Sequence, residues 1–236
     1  MRVLLVSANR ERLPDPIFPL GLAYVAAATR EAGHRVAVAD LCFGRQPLHD
    51  LRKQVMQFGP DVVGLSLRNV DNAAYPRTVD YLEGHREVVN VLRAVTDATI
   101  VLGGSGFSIM PDAYMQVLDG DRGIAGEAET TFVALLDALE NGFDPASVPG
   151  VTGKHSPTGP APVYPQRDNF RPSWATGLRP ARGLFDYPRY IRRGGMGNVQ
   201  TKRGCVFKCS YCTYPLLEGT RFRAREPEDV VDEIAA

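Results

Sequence analysis

The chain has 236 residues, 44% hydrophobic and 23% charged, and its 27 basic and 27 acidic residues give a formal net charge of zero. This length suits one complete domain plus part of another. The balanced charge indicates neither a nucleic-acid partner nor a membrane surface, and no apolar stretch is long enough for a signal peptide or a transmembrane helix.

Residues 2–140 alternate between short apolar strands and helices. Strands are predicted at residues 2–7, 35–40, 61–67, 99–102 and 123–125. Helices are predicted at residues 20–32, 48–58, 77–94, 112–118 and 127–140. Because near-continuous apolar strands that alternate with helices form parallel sheets covered on both faces, we predict a doubly wound, Rossmann-like α/β domain with five parallel strands.

The composition changes near residue 144. Nine of the eighteen prolines lie between Pro145 and Pro188, which predicts an extended connector rather than a domain core. A strand at residues 197–201 and a helix that begins at Pro227 predict one βα unit of a second domain. The predicted division is 1–143, 144–194 and 195–236. Since one such unit cannot form a barrel, we expect the chain to be truncated at its C-terminus and inactive alone.

Three cysteines lie within eight residues, at Cys205, Cys209 and Cys212. Three thiolates in one loop can hold three irons of a [4Fe–4S] cluster and leave the fourth iron open. A structural zinc site or a ferredoxin-type cluster needs a fourth ligand, and Cys42 and His155 are far away in the sequence. A partial zinc knuckle or three ordinary thiols are the alternatives. This use of cysteine predicts a reduced, cytoplasmic protein.

The spacing C-x3-C-x2-C, with Tyr211 before the last cysteine, resembles the signature of the radical S-adenosylmethionine (SAM) superfamily. The resemblance implies that the three cysteines bind a [4Fe–4S] cluster and that SAM binds its open iron. It also implies that Tyr211 lies near the adenine of SAM. An electron donor such as flavodoxin or ferredoxin is the expected partner.

Ligands of an open parallel sheet bind beyond the carboxyl ends of its strands. The stretches at that edge are residues 7–21, 66–76, 103–110 and 126–129. Glycines in the last two stretches allow a bulky ligand to approach the backbone. No G-x-G-x-x-G follows the first strand, which argues against a dinucleotide.

Five segments resemble those of cobalamin-binding domains fused to radical SAM barrels: 19–27 (PLGLAYVAA), 33–36 (GHRV), 61–66 (DVVGLS), 102–104 (LGG) and 126–129 (GEAE). The last is usually Gly-Glu-Gly-Glu, and Ala128 departs from it. By this resemblance, the loops after the first, third, fourth and fifth strands cradle cobalamin. The expected contacts are Ser7, Ser66, Arg68, Asn69, Gly103, Gly104, Gly126 and Glu127.

Many cobalamin domains carry Asp-x-His-x-x-Gly after the first strand, with the histidine bound to cobalt. Residues 7–19 contain no histidine, so we expect cobalamin to bind without a protein histidine ligand. Arg68 is the candidate for the lower face, because a guanidinium cannot coordinate cobalt and would exclude water there. Alternatively, Arg68 binds a corrin amide or caps its strand. The histidines are interpreted as surface or packing residues: His34, His49, His85 and His155.

Other charged residues have weaker interpretations. Asp40 ends the second strand and is interpreted as a strand cap. Arg203 precedes the cysteines, where it either neutralises cluster or SAM charge or belongs to a solvated turn. Alternate residues of a predicted second barrel strand share one face, inside the barrel or on its surface: Arg221, Arg223 and Arg225.

The leading functional hypothesis from the resemblance is a cobalamin-dependent radical SAM methyltransferase that acts on a carbon centre, with methylcobalamin as methyl donor. A cyclase or rearrangement enzyme with the same cofactors is the second hypothesis. A non-catalytic cobalamin-binding module is the third. The substrate is expected to be a small molecule or a peptide, and its identity cannot be read from these residues.

Overall fold

A computed structural model describes residues 1–153 and 177–235. Its main sheet has six strands: β1 (Arg2–Ser7), β2 (Arg35–Asp40), β3 (Val62–Ser66), β4 (Thr99–Gly103), β5 (Arg122–Ile124) and β6 (Val151–Gly153). Their order is β2-β1-β3-β4-β5-β6. The first five strands are parallel, and β6 pairs antiparallel with β5. The predicted α/β class with its parallel sheet is confirmed, and β6 is an edge strand that the sequence did not predict.

Six helices accompany this sheet: α1 (Leu20–Glu31), α2 (Pro47–Phe58), α3 (Leu82–Arg93), α4 (Ser105–Ile109), α5 (Pro111–Val117) and α6 (Glu129–Glu140). Alternate side chains of β1 serve opposite faces of the sheet. Leu4 and Val6 pack in a cluster with α2 and α3, whereas Val3 and Leu5 pack with α1 and α6. The sheet is therefore covered on both faces, as the apolar strands require.

The strand order reverses between β1 and β3, because the chain runs from β1 outward to β2 and then returns to the other side of β1. The loops that follow β1 and β3 consequently lead to opposite sides of the sheet. Such a switch point leaves a crevice at the carboxyl ends of the strands. This crevice is where a ligand of the domain is expected.

Helix α3 begins five residues later than predicted, at Leu82 rather than at residue 77. The side chain of Asp71 accepts a hydrogen bond from the backbone N–H of Ala73, and that of Asn72 accepts from Ala74 and Val79. Such local bonds offer the backbone an alternative to helical pairing. They hold residues 71–79 as an irregular loop.

The connector is more structured than expected where the structure describes it. A 3-10 helix (Arg182–Leu184) precedes α7 (Tyr187–Arg192), and Phe185 and Tyr190 are buried. Both rings make edge contacts with Phe18, at centroid distances of 5.2 and 5.5 Å. The expectation that this segment contributes no core is therefore wrong for residues 177–194. Residues 154–176, with His155, and Ala236 lie outside the described residues.

The C-terminal segment contains β7 (Lys202–Arg203), α8 (Tyr214–Glu218), β8 (Arg223–Ala224) and α9 (Pro227–Ala235). The predicted strand at residues 197–201 is wrong, since regular pairing begins only at Lys202. Strand β8 runs antiparallel to β7, so it is the return strand of a hairpin. Of the three alternating arginines only Arg223 lies in this strand, and the prediction that all three belong to one barrel strand is wrong. The predicted domain boundaries stay a prediction. No helix among the described residues is long and apolar enough to cross a membrane.

Candidate functional site

A cavity of about 380 Å³ lies at the carboxyl ends of β1, β3, β4 and β5. Its floor is apolar and includes Leu5, Val101 and Phe132. The C-terminal segment closes one side, where Arg203 and Tyr214 line the wall. The cavity therefore lies at the seam between the sheet and the segment that carries the three cysteines.

Seven of the eight residues expected to contact cobalamin line this cavity: Ser7, Ser66, Arg68, Gly103, Gly104, Gly126 and Glu127. The eighth, Asn69, lies behind the wall in a smaller cavity of about 200 Å³. Its Oδ1 accepts a hydrogen bond from Arg68 Nη1 at 3.1 Å. The tertiary structure thus gathers in one place residues that are spread over 120 positions of the sequence.

Glycines give the cavity its shape. Gly104 has φ +96°, and a Cβ there would lie 2.7 Å from the carbonyl oxygen of Leu67, so no other residue fits this turn without strain. Gly21, in the first turn of α1, also lines the cavity, and a Cβ there would meet no atom within 4 Å. Side chains at this point would project into open space. The glycines therefore leave a cradle that a large planar ligand with an apolar part can enter.

Arg68 separates the two cavities and lines both. Burial lowers the pKa of its guanidinium, yet an arginine stays charged at any pH a protein survives. Among the described residues, no carboxylate lies within 4.0 Å of Arg68, and its guanidinium donates a hydrogen bond to the side chain of Asn69. A half-buried cation without a counterion thus faces the main cavity.

The smaller cavity contains Glu11, which the sequence did not single out, and Tyr81, which the sequence suggests only as a packing residue. The Tyr81 hydroxyl donates to Glu11 Oε2 at 3.2 Å. His85 also lines this cavity and is buried, and burial lowers its pKa to about 4. The neutral ring packs against Tyr114, with the ring centroids 5.8 Å apart. No sequence signal points to this group, because the residues come from three separate segments.

No histidine among the described residues lines the main cavity. His34 lies before β2, at the opposite end of the sheet, with its ring nitrogens 4.0 Å from Asp137 and Glu140. The α-amino group of Met1 lies 3.2 Å from Nδ1 of the same ring. Because these groups are at the amino ends of the strands, they cannot reach a ligand in the cavity.

The three cysteines lie in the loop between β7 and α8, with Cys205 and Cys212 half-buried and Cys209 exposed. All are free thiols. Their sulfur atoms are not all within 4.8 Å of one another in the described structure. Tyr211 is 87% exposed on this loop.

Arg203 is buried, and the interpretation of its position as a solvated turn is wrong. Its Nη2 lies 2.6 Å from Glu129 Oε1, and its Nη1 lies 3.2 Å from Glu127 Oε2. Burial alone would lower the pKa of Arg203, but the two carboxylates outweigh it and raise the pKa. The segment 126–129 therefore provides both cavity wall and ion pairs to the cysteine segment.

Asp40 is half-buried at the end of β2, and burial raises its pKa. Its carboxylate accepts hydrogen bonds from the Tyr190 hydroxyl at 2.7 Å and from the backbone N–H of Cys42 at 3.2 Å. The second of these bonds fits the interpretation as a strand cap. The first ties α7 of the connector to the sheet.

The comparisons with known proteins agree with this geometry. Residues 7–136 match the B12 binding domain family. The tryptophan 2-C-methyltransferase of Streptomyces laurentii is 28% identical over 97% of this chain and 46% of its own length. The anaerobic magnesium-protoporphyrin IX monomethyl ester cyclase of Synechocystis sp. is 27% identical over 99% of this chain and 46% of its own length.

Among solved structures, the radical SAM methyltransferase TsrM of Kitasatospora setae, with tryptophan substrate and a SAM analogue bound, is 32% identical, with a TM-score of 0.81. The alignment covers 99% of this chain and 44% of that protein. A second structure of TsrM, with cobalamin and a [4Fe–4S] cluster bound, gives a TM-score of 0.78. The chain thus spans about half the length of the relatives it matches.

The family match covers more than half of the 236 residues and includes every strand from β2 to β5. It also contains every sheet-side residue that lines the cavity except Leu5. The chain belongs to the B12 binding domain family.

Proposed function

We propose that this chain is the part of a cobalamin-dependent radical SAM methyltransferase that holds cobalamin and the [4Fe–4S] cluster. The observation that carries the proposal is the contact between the cavity and the cysteine loop. Arg203, two residues before Cys205, and Tyr214, two residues after Cys212, both line the cavity. A group in the cavity and a group held by the cysteines would consequently be neighbours.

The cavity has the polarity that cobalamin requires. Its apolar floor at Leu5, Val101 and Phe132 suits an apolar ring of the nucleotide tail, whose burial is favourable. The hydroxyls of Ser7 and Ser66 belong to residues that line the same cavity, and hydroxyls can hydrogen-bond the amide groups of the corrin. Close backbone approach is available at the glycines: Gly103, Gly104 and Gly126.

Arg68 is proposed to lie under the corrin. Its guanidinium has no counterion among the described residues, and it cannot coordinate a metal. Held by Asn69, it would occupy the space below the cobalt and keep water out of it. Its alternative role is a hydrogen bond to a corrin amide.

The cysteines Cys205, Cys209 and Cys212 are proposed to hold the cluster, with SAM at its open iron and Tyr211 beside the adenine. When bound, the cofactors supply cleavage of SAM and a carrier for the methyl group. The protein positions them and excludes water. A flavodoxin or ferredoxin is the proposed electron donor, and the proposed substrate is a small molecule, as tryptophan is for TsrM, or a peptide.

The test is anaerobic reconstitution of the protein with iron, sulfide and hydroxocobalamin. We expect bound cobalamin and a cluster with four irons, and loss of the cluster in Cys→Ala variants at positions 205, 209 and 212. The matched control is Cys42→Ala, which removes a buried thiol far from the loop and leaves the cluster intact. An intact cluster in all three loop variants would contradict the ligand assignment.

A second candidate is a cyclase or rearrangement enzyme with the same cofactors, and the similarity to the Synechocystis cyclase favours it. Product analysis separates the two. S-adenosylhomocysteine with a methylated product supports methyl transfer, and 5′-deoxyadenosine without methylated product supports rearrangement. Bound cobalamin without any SAM cleavage would instead support a non-catalytic binding module.

A further inference from the structure

Two glutamates and two arginines form a set of ion pairs between the turn after β5 and the β7–β8 hairpin, one pair buried and the other half-buried. We call it the bridging network: Glu127, Glu129, Arg203 and Arg223. Arg203 contacts both glutamates. Arg223 contacts both carboxylate oxygens of Glu127, with Nη1 3.0 Å from Oε2. Two carboxylates and two guanidiniums leave the network without net charge.

A short and constrained stretch of backbone connects the bridging network to Cys205. Gly204 separates Arg203 from Cys205 and has φ +81°, and a Cβ on it would overlap the carbonyl oxygen of Arg221. The Gly204 N–H donates to Glu218 Oε2 at 3.1 Å, and the Cys205 N–H donates to the Gly219 carbonyl at 3.1 Å. The position of Arg203 therefore fixes where the cysteine loop begins.

The other side of the network is connected to the cavity. Gly126 and Glu127 line the cavity, and Glu129 is the first residue of α6. The Gly126 N–H donates to Ser108 Oγ at 2.8 Å, which joins this turn to α4. Any shift of the turn would move the cavity wall and Arg203 together.

We propose that the bridging network positions the cysteine loop relative to the cobalamin cavity, so that Glu127, Glu129, Arg203 and Arg223 are positioning residues. This inference rests on the proposed function, since the network is inferred to set the distance between the two cofactors. Bidentate pairing of arginine with carboxylate fixes orientation as well as distance, and apolar packing between the two regions does not supply this. The network gives Glu127 a role beyond contact with cobalamin.

The first experiment measures the distance between the reduced cluster and cob(II)alamin by pulsed electron paramagnetic resonance in the reconstituted protein. We expect a narrow distribution for the unsubstituted protein and about twofold broader ones for Glu129→Gln and Arg203→Lys, because sites need support to within about 0.5 Å. The control is Asp232→Asn, which removes an exposed ion pair with Arg179 and should leave the distribution unchanged. The conservative variant Glu129→Asp keeps the carboxylate, and its distance distribution should be narrower than that of Glu129→Gln.

The second experiment needs no cofactor and covers the case in which Glu129→Gln loses its cluster. Hydrogen exchange of amides 204–212 should be about tenfold faster in Glu129→Gln and in the milder Arg223→Lys, while exchange in β4 stays unchanged. Unchanged exchange in both variants, or an unchanged distance distribution, would overturn the inference. Failure of the unsubstituted protein to bind either cofactor would overturn the proposed function instead.

Discussion

The sheet region and the C-terminal segment are stabilised by different interactions. In the sheet region, the strand residues Val3 to Val6 are completely buried, and two apolar clusters cover the faces of the sheet. In residues 195–235, all of which are described, no apolar side chain is buried. The buried side chains of that segment are charged: Arg203, Arg225 and Glu233. The sheet region has its own hydrophobic core, whereas the C-terminal segment is held against it by ion pairs.

The two kinds of interaction have different effects, because the hydrophobic core provides stability and the ion pairs provide a defined position. A hydrophobic core stabilises a fold without demanding one exact geometry, because its driving force is non-directional. Ion pairs and charge-assisted hydrogen bonds depend strongly on geometry, and in a buried setting they stabilise little on balance. The C-terminal segment therefore gains a defined position more than stability. Variants that change one kind of interaction should affect one region and spare the other.

The largest effect on stability is expected from Glu233→Ala. Arg225 and Arg182 both pair with Glu233, whose side chain is 4% exposed, so the variant leaves buried charge unpaired at a cost of about 3–5 kcal/mol. Limited proteolysis should cleave residues 195–235 first while the sheet region remains intact. Asp232→Ala, at a neighbouring exposed pair, should cost less than about 1 kcal/mol. If the protease cleaved the sheet region of Glu233→Ala as fast as residues 195–235, the two regions would not be stabilised separately.

The pH dependence of the sheet region should come in part from His85. Its pKa in the folded protein, about 4, lies below the ordinary value of 6.5, so the unfolded chain binds the proton first as the pH falls. The stabilisation is complete above pH 6.5 and is lost toward pH 4, by about 2–3 kcal/mol.

Urea unfolding at pH 7 and pH 4.5 measures this effect. His85→Gln should flatten the pH dependence, and His49→Gln, on the exposed side of α2, should leave it as it is. If the free energy of unfolding of His85→Gln changed between the two pH values as much as that of the unsubstituted protein, the buried ring would not contribute to the pH dependence.

Gly21→Ala should separate stability from binding within the sheet region. Alanine favours a helix over glycine by about 0.5–1 kcal/mol, and a Cβ at this position meets no atom within 4 Å, so the fold should not be weakened. The same methyl group would project toward the cavity, and cobalamin should bind about tenfold more weakly, equivalent to about 1.4 kcal/mol. Titration of the apoprotein with hydroxocobalamin measures the affinity, and unchanged affinity would place the ligand elsewhere.

The smallest effect is expected from Arg68→Ala, which should leave stability almost unchanged because the side chain is only half-buried and its hydrogen bond, to Asn69, is made to an uncharged amide. If Arg68 lies under the corrin as proposed, its loss would admit water there, and the electron paramagnetic resonance spectrum of the protein loaded with cob(II)alamin should change. Arg68→Lys keeps a cation and should change the spectrum less. An unchanged spectrum in Arg68→Ala would favour the alternative contact with a corrin amide.

Much of the sheet region follows from local pattern. The apolar runs at β1, β3 and β4, and glycines such as Gly33 after the first helix, place these elements to within one or two residues. The sequence pattern places the start of α3 too early, because Asp71 and Asn72 form hydrogen bonds with their neighbouring backbone, and hydrophobic periodicity does not reveal these bonds. Strand β6 was missed since three residues with a glycine carry little strand signal.

Local sequence pattern is enough to predict the parallel sheet, the glycine turns at its carboxyl edge and the loop of three cysteines. Each of these depends on residues close together in the chain. Contacts between distant segments, in contrast, pair Arg203 with Glu129, 74 residues away, and leave Arg68 without a carboxylate partner in the described part of the chain. Both arginines look alike in sequence, and their roles differ because the fold brings carboxylates to one and an empty cavity to the other.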